Sequence, residues 1–288
     1  MNFWQTPKEA FSELLKRKAP HLRQIRHRHS SALGREVDID IYLPPDYHFS
    51  VGKYYPWLVL NDGQDLPAMH FSNILEKLYF SHQIPPIIVI GIHAGFDRVR
   101  EYGVMRQADY KGRGDRAKQY CNFLLEELLP DLRRRFRMSN EKEYSLIAGF
   151  SLGGLSAFDI GWAYPDIFGR VGVFSGALWW RWHPVYEHDP DGGRIIHDVV
   201  DKTSSVPAQQ SYWFQAGTLD EADDRNHNGV IDAIDDTLDL IRVLKKRNIH
   251  ERLIRYYEVE GGRHEPATWG LAMPDFLKWS LTKEYDEG

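Results

Sequence analysis

Residues 144 to 164 constrain the fold of this chain more than any other segment. Tyr144-Ser145-Leu146-Ile147-Ala148 reads as a short buried strand, and Leu152 to Tyr164 carries helical spacing. Between them only Gly149-Phe150-Ser151-Leu152-Gly153 is left to reverse the chain. Elements that close need a very sharp turn, and flanking glycines suit it because a larger neighbour would collide with the strand or the helix. Such a turn holds its central serine in a strained conformation, as a nucleophile elbow requires. A Gly-x-Ser-x-Gly string alone is weak, and the plainer account is a Gly-rich turn whose Ser151 caps the helix. The flanking strand and helix favour the elbow.

The rest of the chain alternates in the same way. Val37 to Leu43 places an apolar side chain at every other position, the pattern of an antiparallel strand with one wet face, and His21 to Ser30 reads as its partner. Trp57 to Leu60 and Ile87 to Ile90 are continuous apolar runs, the signature of central strands covered on both faces. Further strands are expected at Gly169 to Phe174, Tyr212 to Ala216 and Leu253 to Val259. Helical spacing falls at Pro7 to Lys18, Phe71 to Gln83, Arg116 to Phe136, Leu152 to Tyr164, Asp236 to Asn248 and Pro266 to Trp279. The order implies an α/β class, with a mostly parallel central sheet joined by right-handed crossovers. At 288 residues without a repeat or low-complexity linker, one domain over residues 1 to 288 is expected.

Composition narrows the function classes. A net charge of -5 gives no nucleic-acid footprint, and the arginines between Leu132 and Arg137 read as a solvated helix face. The lone cysteine, Cys121, excludes a disulfide framework or a cysteine-based zinc site within the chain. No stretch approaches membrane-spanning length and Met1 to Lys8 lacks a signal pattern, so a cytoplasmic location is expected.

A serine nucleophile needs a base within reach and an acid to orient that base, in the chain order serine, acid, histidine for this type of fold. Tyr212 to Ala216 runs into Gly217-Thr218-Leu219-Asp220, placing Asp220 just past a strand's carboxyl end. Leu253 to Val259 runs through Glu260-Gly261-Gly262-Arg263 into His264. Of 13 histidines, His264 alone follows the final strand through a Gly-Gly turn. Glu221, Asp223 and Asp224 compete with Asp220 as the acid. Backbone donors for an oxyanion are expected from Leu152, after the serine, and from Gln64 in the Asn61-Asp62-Gly63-Gln64-Asp65 turn.

With those residues placed, the chain resembles the esterase D and enterochelin esterase family of α/β-hydrolases, which includes siderophore, feruloyl and acetyl esterases and mycolyltransferases. The likeness runs through Arg35 to Tyr47, Leu60 to Gln64, Arg100-Glu101-Tyr102, Leu128-Leu129-Pro130 and Ala148 to Leu155. It continues through Pro165 to Gly169 and Ser175 to Trp180, and closes at Gly261 to His264 with Trp269. It implies an α/β-hydrolase fold with helices on both faces of the sheet, and a serine esterase acting through an acyl-enzyme on Ser151. His264 would be the base, Asp220 the acid, and the Gln64 and Leu152 amides the oxyanion donors. No organic cofactor is implied. Acyl transfer by the same triad, or a non-catalytic binding protein on the same fold, are the rival readings.

The chain departs from that pattern after Asp220. Asp224-Arg225-Asn226-His227-Asn228-Gly229-Val230-Ile231-Asp232-Ala233-Ile234-Asp235 matches a twelve-position calcium loop: oxygen side chains at positions one, three, five, nine and twelve, and glycine at six. Asp224, Asn226, Asn228, Asp232 and Asp235, with the Val230 carbonyl, form the expected ligand set for a structural calcium ion. The competing account is an Asn/Asp-rich loop capping the next helix. Trp179, Trp180 and Trp182 are candidates for an aromatic substrate wall or for packing. Arg100, with Arg98, Arg106 and Arg113, is a candidate contact for an anionic substrate or simply exposed loop charge. A small-molecule ester is the expected partner, and self-association is left open.

Overall fold

The continuous apolar runs become the centre of one eight-stranded sheet in the computed structural model, which describes residues 19 to 282. The segment Pro7 to Lys18, expected as a helix, lies outside the described residues. The strands are β1 (His21–Ser30), β2 (Arg35–Leu43), β3 (Trp57–Asn61), β4 (Ile88–Ile92), β5 (Ser145–Phe150), β6 (Arg170–Phe174), β7 (Ser211–Leu219) and β8 (Ile254–Arg263). Their spatial order is β1-β2-β4-β3-β5-β6-β7-β8. β2 pairs antiparallel with β1 and β4, and every other neighbouring pair is parallel. β3, β4 and β5 are buried along their whole length, which is why they lack the alternation that β2 shows.

Helices α1 (Phe71–Phe80), α2 (Arg98–Glu101), α3 (Ala117–Asn122), α4 (Leu129–Arg135), α5 (Leu152–Ala163), α6 (Ile195–Lys202), α7 (Asp232–Lys246) and α8 (Pro266–Leu281) complete the described part. Side chains alternate across a strand, so Leu58 and Leu60 bury against α1 and α8 on one face. Val59 joins the opposite core with Leu155 and Phe158 of α5, Ile196 of α6 and Leu240 of α7. Each fully buried Leu or Phe contributes about 1.5–3 kcal/mol.

Three differences from the sequence reading have local causes. The helix expected over Arg116 to Phe136 widens into a π-helical turn at Phe123–Leu128. Pro130 has no N–H for the Glu126 carbonyl, so the regular ladder cannot run through it. Helix α7 begins at Asp232, four residues before the expected Asp236, which puts Asp232 and Asp235 in its acidic first turn. The short helices α2 and α6 were not anticipated, since four and eight residues carry too few turns for periodicity to register. No helix among the described residues is long and apolar enough to cross a membrane.

Asp159 on α5 is 2% exposed, and its carboxylate accepts the Met105 N–H at 2.8 Å. Burial pushes this carboxyl up to about 7. A raised folded-state value means the native protein holds the proton more tightly, so its stabilisation is full in acid and is lost as pH rises through about 7. Asp159→Asn keeps the acceptor and removes the titration. The melting temperature of this variant relative to wild type is expected to climb steadily from about pH 4 to about pH 8, followed by calorimetry. A flat difference would show that Asp159 does not titrate in that window.

Candidate active site

The turn from β5 into α5 holds Ser151 at φ 55 and ψ -123. This is sparsely populated backbone for a serine, costing about 1–3 kcal/mol unless the surroundings impose it. They do so from the β6 side: Ser151 N–H donates to the Phe174 carbonyl at 2.8 Å, and Ala177 N–H donates to the Ser151 carbonyl at 3.0 Å. A Cβ on Gly149 would lie 2.3 Å from the Gly153 carbonyl oxygen. From the β3 side, Asn61 Nδ2 donates to the same Gly153 carbonyl at 2.8 Å, and the buried Tyr120 hydroxyl donates to Asn61 Oδ1 at 2.5 Å.

Asp220 and His264 each follow the last residue of a strand, β7 and β8, and those strands are parallel neighbours. Both residues therefore reach the carboxyl edge of the sheet, where the β5–α5 turn also lies. Asp220 is 9% exposed; one oxygen accepts the Gly217 N–H at 3.0 Å, and the other is buried without a hydrogen-bond partner. Burial pushes the His264 imidazole below its ordinary 6.5; the Asp220 carboxylate opposes that shift and Arg98 adds to it. Neither Glu221 nor the later aspartates act on His264 in this way. Trp269 ties the histidine to the elbow. Its ring stacks on Phe150 at 4.9 Å, its edge meets His264 at 5.6 Å, and its Nε1 donates to Ser175 Oγ at 3.0 Å.

The Asn61 to Asp65 turn becomes a 3-10 turn, Gly63–Asp65, entered through Asp62 in the left-handed region at φ 62. The amides of Gln64 and Leu152 stand in the first turns of their helices, where no intrahelical carbonyl can accept them. The two turns abut, because a Cβ on Gly153 would lie 2.4 Å from Asp62 Oδ2. Asp62 is fully buried and takes a two-point ion pair from Arg98, Nε and Nη2 each at 2.7 Å. The sequence offers Arg98 either as an anionic-substrate contact or as exposed loop charge; it is instead paired with Asp62, 36 residues away, where no local pattern reaches.

The profile of the family described as "Putative esterase" matches residues 30–280. This chain belongs to the putative esterase family. Among its relatives, "Uncharacterized protein YbbA" of Bacillus subtilis is 28% identical over 148 residues, 49% of this chain and 57% of that protein. An "Iron(III) enterobactin esterase" of Dickeya dadantii is 28% identical over 161 residues, 54% of this chain and 34% of that one. The chain thus spans less than two thirds of the length of these curated relatives. Among solved structures, a "ferulic acid esterase" superposes with a TM-score of 0.68 at 18% identity, over 91% of this chain and 98% of that one. The enterobactin esterase from Shigella flexneri gives 0.69 at 20% identity, over 90% and 59%. At these identities the structures show a shared α/β-hydrolase fold.

Around this putative esterase site, the aromatic and basic candidates separate. Trp180 is 1% exposed and packs against the Gly103 and Gly114 backbone with Arg113 over its ring at 4.7 Å, so it belongs to the core rather than to a substrate wall. Trp179 is 36% exposed and lines a cleft of about 580 Å³ beside Glu221. Arg100, a candidate substrate contact, is instead exposed and committed to a two-point ion pair with Asp115 at 2.9 and 2.6 Å, which occupies its guanidinium. Arg113 is likewise paired, with Asp109. Burial, with Asp232 nearby, pushes the Glu221 carboxyl up to about 7.

The 224–235 segment has the turns of an ion-binding loop. Gly229 at position six sits at φ 86, Asp224 Oδ1 and Oδ2 accept the Asn228 and Gly229 amides at 3.1 and 2.9 Å, and Asn228 Oδ1 accepts Val230 N–H at 2.8 Å. Asp235 Oδ2 takes both the Asn226 and Asn228 side-chain amides, at 2.8 and 3.1 Å, so positions three, five and twelve converge. Asp232 at position nine is instead turned to Arg225, whose backbone N–H it accepts at 3.0 Å and whose guanidinium it pairs at 3.1 Å. Asp191 and Asp239 bring carboxylate oxygens within 4.8 Å of one from Asp235. Asp191 lies outside the motif, and no spacing rule could have named it.

Proposed function

We propose that this chain is a serine carboxylic-ester hydrolase in which Ser151 is the nucleophile, His264 the general base and Asp220 the orienting acid. The observation that carries the reading is Ser151 held in strained backbone next to Phe150, whose ring stacks on Trp269, which also contacts His264. In this reading His264 takes the Ser151 hydroxyl proton as Oγ bonds to the ester carbonyl carbon, and the Gln64 and Leu152 amides donate to the resulting oxyanion. Collapse breaks the carbon–oxygen bond to the alcohol, which leaves with the proton from His264. Water then repeats the sequence on the acyl-enzyme, releasing the acid. Feruloyl esters and enterobactin-type esters are the substrate classes that the relatives' names suggest. The buried Cys121 thiol, pushed up to about 11, is inert in this chemistry and accords with a cytoplasmic setting. A fluorophosphonate probe is expected to label wild type on Ser151 and to leave Ser151→Ala unlabelled, read by mass spectrometry. No label on wild type would sink the enzyme reading.

In the same reading the 224–235 loop holds a structural calcium ion through Asp224, Asn226, Asn228, the Val230 carbonyl, Asp232 and Asp235. Hard oxygen donors suit that cation, and a half-turn of each Asn amide exchanges its donor for an oxygen at the point where Asp235 converges. Bound calcium neutralises charge beside the Asp220 segment and takes no part in bond making. Saturating calcium chloride is expected to raise the melting temperature by several degrees, about 2.7 kcal/mol at a hundredfold excess over Kd. EGTA reverses the shift, and Asp224→Ala abolishes it. Identical melting with calcium and with EGTA would remove the ion.

A further inference from the structure

The Gln64 backbone amide serves an oxyanion only if the turn that carries it is already in place, because a preorganised donor needs no rearrangement as charge develops. Asp62 enters that turn at φ 62 and ψ 45, left-handed backbone that a residue other than glycine keeps only where its surroundings impose it. They impose it through a side chain that is 0% exposed. Asp62 Oδ1 accepts Arg98 Nε and Oδ2 accepts Arg98 Nη2, each at 2.7 Å. Oδ1 also accepts Gln64 Nε2 at 3.1 Å, and Gln64 Oε1 accepts the Ala94 N–H at 2.9 Å. One end of the Gln64 side chain therefore hangs on the carboxylate that Arg98 fixes.

The same ion pair reaches the elbow. Arg98 Nη2 also donates at 3.4 Å to the carbonyl of Phe150, the residue before Ser151. Asp62 Oδ2 would stand 2.4 Å from a Cβ on Gly153, the residue after Leu152. Arg98 is anchored in turn by its neighbours in and around α2. Asp97, just before that helix, accepts Arg116 Nη1 at 3.2 Å, and the Tyr102 hydroxyl, just after it, accepts the Asp62 N–H at 3.3 Å. Glu101, 1% exposed, takes a two-point pair from Arg35 at 2.8 and 2.6 Å. A guanidinium fork fixes the plane of a carboxylate as well as its distance, which a point charge such as an ammonium does not.

We propose that Arg98 is a positioning residue for ester hydrolysis, holding the backbone amides of Gln64 and Leu152 in oxyanion geometry through Asp62. The proposal rests on the Ser151 esterase reading. Arg98 commits its fork to Asp62, so it acts on the donors and not on the substrate. Loosening the donors weakens the hold on the oxyanion and leaves binding of the neutral ester as it was, so kcat carries the loss and KM does not.

The test is 4-nitrophenyl acetate hydrolysis by the full chain as wild type, Arg98→Met, Arg98→Lys and the double variant Asp62→Asn/Arg98→Met. Two inhibitors are compared in each. Benzyl trifluoromethyl ketone takes Ser151 Oγ at its carbonyl carbon, the serine proton passing to His264, and so carries an oxyanion; benzyl methyl ketone binds without adding. Arg98→Met is expected to lower kcat about 10²-fold with KM within about threefold, and to weaken the trifluoromethyl ketone about 10²-fold while the methyl ketone is unchanged. Arg98→Lys keeps the charge and loses the fork, and is expected about tenfold below wild type in kcat. The double variant leaves no buried charge unpaired, so it is read in place of Arg98→Met should that variant not fold, and the same kcat loss is expected. Wild-type kcat in Arg98→Met or in the double variant overturns the proposal. So does equal weakening of the two ketones, which a generally distorted pocket would give. Wild type that fails to take the fluorophosphonate on Ser151 sinks the esterase reading; labelled wild type with an unchanged kcat in the variants sinks the positioning role alone.

Discussion

Ser151→Ala is expected to lower kcat by about 10⁴- to 10⁶-fold while leaving the melting temperature within a few degrees of wild type. The size follows if Ser151 Oγ is, as proposed, the atom that forms the acyl bond. The residue left over binding and the oxyanion donors keeps a small rate above water. Ester hydrolysis by wild type should rise with pH and reach half its plateau below the ordinary histidine value of 6.5, because burial disfavours the charged imidazole and the base must be neutral. Asp220→Asn removes the one influence that raises the imidazole, so the midpoint should move lower still while the plateau falls by about 10⁴. Full activity of Ser151→Ala on aryl acetates would assign the hydrolysis to another group.

Gly149→Ala is expected to lose both fold and activity, destabilising by about 3–5 kcal/mol. Its Cβ would stand 2.3 Å from the Gly153 carbonyl oxygen, 2.5 Å from its carbon and 2.9 Å from the Gly154 nitrogen. All three are backbone atoms of α5, pinned through the Gly153 carbonyl by Asn61 Nδ2. No side chain can swing aside, so the strand and the helix must part, and Ser151 with them. Calorimetry and circular dichroism measure the first loss and ester turnover the second. A well-folded, active Gly149→Ala would show that β5 and α5 are looser than their packing indicates.

Local pattern was enough for most elements. Trp57 to Leu60 and Ile87 to Ile90 read as central strands because both faces of β3 and β4 are covered, which removes polar positions from the sequence itself. The boundaries that slipped depend on a single atom or a distant partner. The break in the long helix follows from the missing Pro130 N–H, and the early start of α7 from Asp232, whose N–H donates to the Asp223 carbonyl at 2.8 Å.

The sequence by itself determined the alternation of strand and helix, the sharp turn at Ser151, the delivery of Asp220 and His264 by strand ends, and the oxygen-rich loop. Each is written in spacing over a few residues, because backbone geometry repeats at that scale. Only the tertiary structure decided what neighbours those residues have. It put the Asp220 carboxylate within electrostatic reach of His264, locked Arg98 to Asp62, withdrew Trp180 into the core while Trp179 stayed at the cleft, and brought Asp191 close to Asp235. Electrostatic pairing and burial act through space, between groups tens of residues apart, and no short window of sequence holds both partners.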